Sequence, residues 1–319
     1  MESSSYLNPE TLSRLSGLEL KARGIVDGYL SGMHRSPKQG FSVEFAEHRE
    51  YTPGDDLRYV DWKVYGKRDR HYLKQYEEET NFVCELVLDV SDSMRFRSDP
   101  APLSKLEYAK CVAAALTYLV LRQQDAVGLA TFAGGVESSV RASGRAAQLK
   151  QVLRVLESVS DAMPARRAAS AGEATAEQEN GPPFDVPLHE LADRLPRRSL
   201  VVVLSDFYCE LDGLRTALQH FRHSRHDVIL MQIVDPAEQE FPFDVPVILQ
   251  DLESRASEMI DPRGLAAAYR QEFEQFQYRL RSLCGQLEFD YLCLRTDHLL
   301  SAPLAAYLAR RPGRPVRSS

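Results

Sequence analysis

The sequence predicts an α/β protein with a doubly wound, mostly parallel sheet and a small β-rich segment ahead of it. Three observations carry that expectation. From Phe82 onward, short apolar runs alternate with amphipathic stretches, the pattern of parallel strands covered by helices on both faces. Two of those runs, in "LVLDVSDS" and "VVVLSDF", end in an aspartate beside serine hydroxyls, at the strand ends where open sheets carry their sites. The stretch before Phe82 is instead rich in Gly, Pro, aromatic and charged residues, a composition of hairpins and irregular loops.

The elements follow in order. Leu12, Leu15, Leu18, Leu20, Ile25 and Leu30 recur at helical spacing and predict an N-terminal helix within residues 1–33. Residues 34–80 read as the β-rich subdomain. Within it, "GDDLRYVDWK" crowds charge around the single tryptophan, Trp62. That ring is expected to anchor the subdomain while Asp55, Asp56, Arg58 and Asp61 pair locally. The α/β domain then spans residues 81–310. A strand at Val83–Leu88 leads to a helix from Leu103 to Gln123, with Ser104 and Glu107 spaced as a capping box. A strand at Ala126–Phe132 leads to a helix near Ala146–Leu156. Helices near Leu188–Arg194 and Leu211–His223 precede the strands in "SLVVVLSD" and "DVILMQIV". "VPVILQDLE" predicts an extra edge hairpin, and a long helix at Pro262–Gln286 precedes "EFDYLCLRT" and a last short helix. Residues 164–183, rich in Ala, Glu, Gly and Pro, lack an apolar face and read as a flexible insert. The basic tail, 311–319, reads as disordered.

Composition narrows the function. With 319 residues, 44% of them hydrophobic, and a net charge of -7, the chain is not a general polyanion binder. The basic run "KRDRHYLK" is followed at once by Glu77, Glu78 and Glu79, which cancel much of its field, so no nucleic-acid partner is expected. The five cysteines form no C-x-x-C pair and are expected as reduced, mostly buried thiols of a cytoplasmic protein. No secretory signal and no membrane-length apolar run is visible. His220, His223 and His226 straddle a helix end and are expected at the surface. Enzyme motifs are missing: no G-x-S-x-G elbow, no Walker loop and no dinucleotide fingerprint. Asp89 stands where a phosphatase nucleophile would, but the position two residues on is Ser91, not a second carboxylate. With no base beside the nucleophile, catalysis is not expected.

Brought side by side, the two strand ends would present Asp89, Ser91, Ser93 and Asp206 around one point. Mg²⁺ takes about six oxygens at ~2.0–2.1 Å and tends to keep water. Two carboxylates would neutralise it, and neutral hydroxyls would leave it short of one anionic ligand. The competing reading is ordinary turn chemistry, since Asp and Ser also cap helices and bond loop backbone. Asp92, between the serines, is expected to be solvated.

D-x-S-x-S after the first strand, with a later strand ending in aspartate, resembles the metal-ion-dependent adhesion site of von Willebrand factor A domains. The likeness extends further. "REYTPGDDLRYVDWKVYGKRDRHYLKQYEEE", "LVLDVSDSM", "KLEYAKCVAAALTYLVLRQQDAVGLATF", "LVVVLSDF", "DPRGLAAAYRQEFEQF" and "DYLCLRTD" are similar to bacterial proteins of the domain of unknown function 58 family. The resemblance runs from about His34 to Arg310. It implies a von Willebrand factor A-like fold, with Asp89, Ser91, Ser93 and Asp206 as ligands of Mg²⁺ or Mn²⁺. It also implies a non-enzymatic adaptor that works with a MoxR-type AAA+ ATPase and takes the acidic side chain of a client protein. One feature departs from the pattern. Where a middle-loop threonine is usual, "GPPFDVPLHEL" offers Pro182 or Pro183, and Thr175 falls in the insert. Two alternatives therefore stand beside the adaptor: a metal-free scaffold with a degenerate site, and a metal-dependent phosphoester hydrolase using Asp89 and Asp206.

Overall fold

Asn8 accepts a hydrogen bond from the Glu10 amide and so starts α1 (Pro9–Arg14). Three residues later Gly17 takes a φ of +84°, a conformation open to glycine and costly for other residues. The chain breaks there before α2 (Leu18–His34), so the single N-terminal helix expected from leucine spacing is two helices. The computed structural model describes residues 8–34, 48–50, 72–74, 82–99, 101–161, 184–196, 198–243, 247–250, 257–260 and 262–310. Segments 54–63, 164–183 and 311–319, with Trp62, Thr175, Pro182 and Pro183, lie outside the described residues. The chain divides into two compact units: residues 1–32 with 82–319, and residues 33–81. In the smaller unit, β1 (His48–Glu50) pairs antiparallel with β2 (Tyr72–Lys74).

The larger unit alternates as the apolar runs require. β3 (Val83–Asp89) is followed by a 3-10 turn at Ser93–Arg95 and by α3 (Lys105–Arg122). That helix starts on the expected capping box: Ser104 Oγ accepts from the Glu107 amide at 3.1 Å, and Glu107 accepts from the Ser104 amide at 2.8 Å. Next come β4 (Ala126–Phe132), β5 (Val136–Ser143), α4 (Ala147–Ser158) and α5 (Asp185–Arg194). They are followed by β6 (Leu200–Ser205), α6 (Leu211–His223), β7 (Asp227–Val234) and α7 (Pro236–Glu240). A hairpin of β8 (Val247–Gln250) and β9 (Ser257–Ile260), then α8 (Pro262–Gln286), β10 (Asp290–Arg295) and α9 (Ser301–Arg310), complete the order.

Six strands form one sheet in the order β10-β7-β6-β3-β4-β5. Every pairing is parallel except β4 with β5. This is the doubly wound, mostly parallel sheet expected from the sequence. The chain winds from β3 out to β5 on one side and from β6 out to β10 on the other, so strand order reverses between β3 and β6. Alternate residues serve opposite faces. Leu86 and Leu88 enter the core beneath α2, α3, α4 and α9, while Val87, Val201 and Val203 pack under α5, α6 and α8.

Three expectations need correction. β5 was not foreseen: "VESSVRAS" alternates half-buried and exposed residues, as an antiparallel edge strand does, and never forms an apolar run. Among the described residues, the β8–β9 hairpin pairs with itself and not with the edge of the main sheet. His226 is 3% exposed, with its ring edge-on to Phe221 at 5.8 Å, rather than a surface residue. All five cysteines are free thiols: Cys84, Cys111 and Cys284 are buried, and Cys209 and Cys293 partly so. Among the described residues, no helix is long and apolar enough to cross a membrane.

Glu85 is an unusual core residue. It lies on β3 opposite Gly128 of β4 and is 4% exposed. A Cβ at residue 128 would stand 1.9 Å from its Oε2, so glycine is what makes room for the carboxyl. Burial pushes its pKa up to about 7 from the ordinary glutamate range. The neutral form is therefore the one the fold accepts. Its contribution is intact below the unfolded-state pKa and is lost as pH climbs through about 7. Denaturation of wild type and Glu85→Gln between pH 5 and 8.5 should show the variant gaining on wild type as pH rises. The gap should widen by on the order of 3 kcal/mol; a pH-independent gap would contradict this.

Candidate metal centre

The end of β3 turns on its own aspartate. Asp89 Oδ1 accepts from the Ser91 amide at 2.9 Å, an Asx turn that draws the next residues back over the strand end. The 3-10 turn continues it, and Met94, fully buried, pins the loop to the core. The hydroxyls of Ser91 and Ser93 then lie 3.0 Å apart. Arg95 steadies the outside of the loop, donating to the carbonyls of Val90 and Ser91 and to Asp92 Oδ1 at 2.9–3.1 Å. Asp92 is thus engaged by Arg95.

The neighbouring strand supplies the other half. Ser205, the last residue of β6, donates its hydroxyl to Asp89 Oδ2 at 2.6 Å and accepts from the Phe207 amide at 2.8 Å. Asp206 accepts from the Tyr208 amide at 3.1 Å, and the nearby Ser93 hydroxyl helps hold its pKa down. Phe207 has φ +56°, a rare value for a bulky residue. Its ring is fully buried, edge-on to Phe184 at 6.0 Å. Burial of the ring holds the backbone in a conformation that costs about 1–3 kcal/mol. The four residues picked out from the sequence, Asp89, Ser91, Ser93 and Asp206, are therefore gathered at the point where strand order reverses.

Sequence reasoning missed the cation already present. Lys105, the first residue of α3, is 2% exposed. Its Nζ donates to Asp206 Oδ2 at 2.8 Å and to Glu238 Oε1 at 2.5 Å. A signal was available: acidic residues favour the first turn of a helix and cations disfavour it, so a lysine directly after the N-cap called for a reason. Glu238 was hidden by its second role, since its Oε2 accepts from the Asp235 amide in the capping box of α7. Ser205 was not among the residues picked out from the sequence.

The two aspartates are electrostatically unlike. For Asp206, burial alone would raise the pKa, but the Lys105 ammonium and its hydrogen bond hold the carboxyl below its usual value. For Asp89, burial first and then the charge of Asp206 push the pKa up to about 7, against hydrogen bonds from Ser205 and Ser91. Lys105 is pulled down by burial, but Asp206 and Glu238 outweigh that and keep it above the ordinary lysine value. The donors to Asp89, an amide and hydroxyls, are neutral, so its negative charge is the one left wanting a cation. Hard oxygen donors around such a carboxylate fit Mg²⁺. On that side the residues present fit a metal at Asp89, Ser91 and Ser93, with Asp206 shared with the ammonium. Among the described residues no three His, Cys, Asp or Glu side chains gather as a metal-binding group; here two carboxylates stand with serine hydroxyls.

Removing one partner of a buried ion pair strands the other charge. Lys105→Met should therefore cost about 3–5 kcal/mol in metal-free buffer, against about 1 kcal/mol for Ser104→Ala at the adjacent cap. Chemical denaturation of the two variants checks the ranking; equal losses would contradict it.

With this geometry in place, the comparisons give the chain its relatives. It is 28% identical over 312 residues to an uncharacterized protein of Mycobacterium tuberculosis, covering 95% of this chain and 90% of that one. Among solved structures it is similar to an aerotolerance-related membrane protein from Bacteroides fragilis, with 18% identity and a TM-score of 0.44 over 71% of this chain and 97% of that chain. It is also similar to the SpRpn10 VWA domain, with 11% identity and a TM-score of 0.36 over 74% of this chain and 99% of that chain. The family model described as protein of unknown function DUF58 matches residues 47–282, and the chain belongs to that family.

Proposed function

We propose that the α/β unit is a non-enzymatic protein-interaction module. Its strand-end loops hold Mg²⁺ (or Mn²⁺) through Asp89, Ser91, Ser93 and Asp206 and offer it to an acidic side chain of a client protein. The observation that supports this best is the meeting of two aspartate-bearing loops at the switch point, tied by the Ser205 hydroxyl on Asp89. A dication bound there would supply positive charge and a coordination position open to a carboxylate. The protein's own part is to hold Asp89 by the Ser91 amide and the Ser205 hydroxyl, and Asp206 by Lys105. Tyr208, 80% exposed next to Asp206, offers an aromatic contact of the kind enriched in interfaces. Outside the centre, the negative chain (-7) disfavours casual acidic partners.

The family likeness supports a MoxR-type AAA+ ATPase as the working partner, with ATP chemistry residing in that partner, and the five free thiols support a cytoplasmic setting. A metal-free scaffold is the second reading, favoured by one observation: Lys105 already neutralises Asp206. The hydrolase reading lacks a base, because the residue two positions after Asp89 is Ser91, whose hydroxyl pairs with Ser93.

Thermal unfolding with and without Mg²⁺, joined to affinity capture from the native host, tests this. Mg²⁺ should stabilise wild type by about 2.7 kcal/mol at a hundred times its dissociation constant and leave Asp89→Ala unmoved. Chelator should release the ATPase and client from wild type. Capture that ignores both chelator and Asp89→Ala would favour the scaffold. Metal-dependent phosphoester turnover lost in Asp89→Ala would favour the hydrolase.

A further inference from the structure

We infer that Lys105 is the specificity-determining residue of this centre: its ammonium is a resident cation that lowers the affinity for a dication and leaves the loaded centre electrically neutral. The inference rests on the metal reading above and adds to it what regulates the site.

Lys105 is not a stray surface lysine. Burying an ammonium costs several kcal/mol unless carboxylates surround it, and its place at the start of an 18-residue helix sets it against the helix dipole. The two carboxylates that compensate come from distant parts of the chain, Asp206 just beyond β6 and Glu238 on α7. Glu238 cannot swing away freely, because its other oxygen accepts from the Asp235 amide at 2.9 Å. Asp235 in turn accepts from the Ala237 amide at 2.9 Å and from the Ser98 amide at 3.0 Å, which ties α7 to the loop after β3. The Phe96 ring, 5.8 Å from Nζ, closes another side. The ammonium is thereby held one carboxylate away from Asp89, Ser91 and Ser93.

Its charge has two consequences there. A dication touching Asp206 meets a positive charge on the other side of the same carboxylate and is repelled by it. The affinity for Mg²⁺ is accordingly lower than Asp89 and Asp206 alone would give. Formal charge gives the second consequence. Once a bound dication has displaced any proton from the carboxyls, Asp89, Asp206 and Glu238 sum with Lys105 to a double negative, which that dication cancels. Without the ammonium the loaded centre would keep a net negative charge and repel the carboxylate of a client. Lys105 weakens the metal and favours the acidic ligand.

The test is calorimetric titration of the full chain with Mg²⁺, repeated with Mn²⁺. Lys105→Gln keeps a donor for the two carboxylates and removes the charge; Lys105→Arg keeps the charge. Lys105→Gln should bind Mg²⁺ about tenfold or more tightly than wild type, and Lys105→Arg should stay near wild type. Adding Asp89→Ala to Lys105→Gln should abolish binding. If wild type binds and Lys105→Gln gains nothing, the inference falls and the metal reading stands. If neither binds while both are folded, the metal reading fails and takes the inference with it. Should Lys105→Gln not fold, Glu238→Gln decides: the less neutralised ammonium should weaken Mg²⁺ binding several-fold, and unchanged affinity overturns the inference.

Discussion

Two carboxylates, one at the end of each of two adjacent parallel strands, are held together out of water, and much of the larger unit follows from that constraint. Like charges so placed raise one another's pKa and favour either a proton or a cation between them. The chain answers at two levels. Asp206 has a lysine of its own, while Asp89 has amide and hydroxyl donors. The centre is therefore asymmetric, with Asp206 ion-paired inside the fold and Asp89 held by neutral donors.

The rest of the fold keeps these loops from relaxing apart. β3 and β6 are neighbours in register from Cys84 opposite Leu200 to Leu88 opposite Leu204, so their last residues must end side by side. Met94 sinks one loop into the core and Phe207 sinks the other, the second at the cost of a left-handed backbone. Rigid strands beneath and buried anchors within the loops give the preorganisation that a site needs. Glu85 and Gly128 show the same sheet accepting a second buried carboxyl lower on β3, where burial raises the pKa and favours the protonated form.

Much of this was legible in the sequence, for identifiable reasons. Buried parallel strands leave unbroken apolar runs, so β3, β4, β6 and β7 were readable. The residues that end β3 and follow β6 were also readable, because a polar residue directly after such a run has a known location. What failed to show was anything whose pattern serves two purposes. β5 alternates like a solvated loop with occasional apolar residues. Glu238 looks like a helix cap and is also a ligand of the lysine. Lys105 looks like one more charged residue on an amphipathic helix, and only its position beside the N-cap betrays that its partners lie elsewhere. The break at Gly17 was hidden because leucine spacing continues across it.

The most direct measurement is a crystal structure grown or soaked in Mn²⁺, with anomalous scattering used to place the ion. One strong peak is expected between the loop of Asp89 to Ser93 and Asp206, within coordination distance of the Asp89 carboxylate and of both serine hydroxyls, with the Lys105 ammonium still on Asp206. Crystals that hold Mn²⁺ only elsewhere, or none, while that loop keeps its conformation, would contradict a metal-dependent role for this centre.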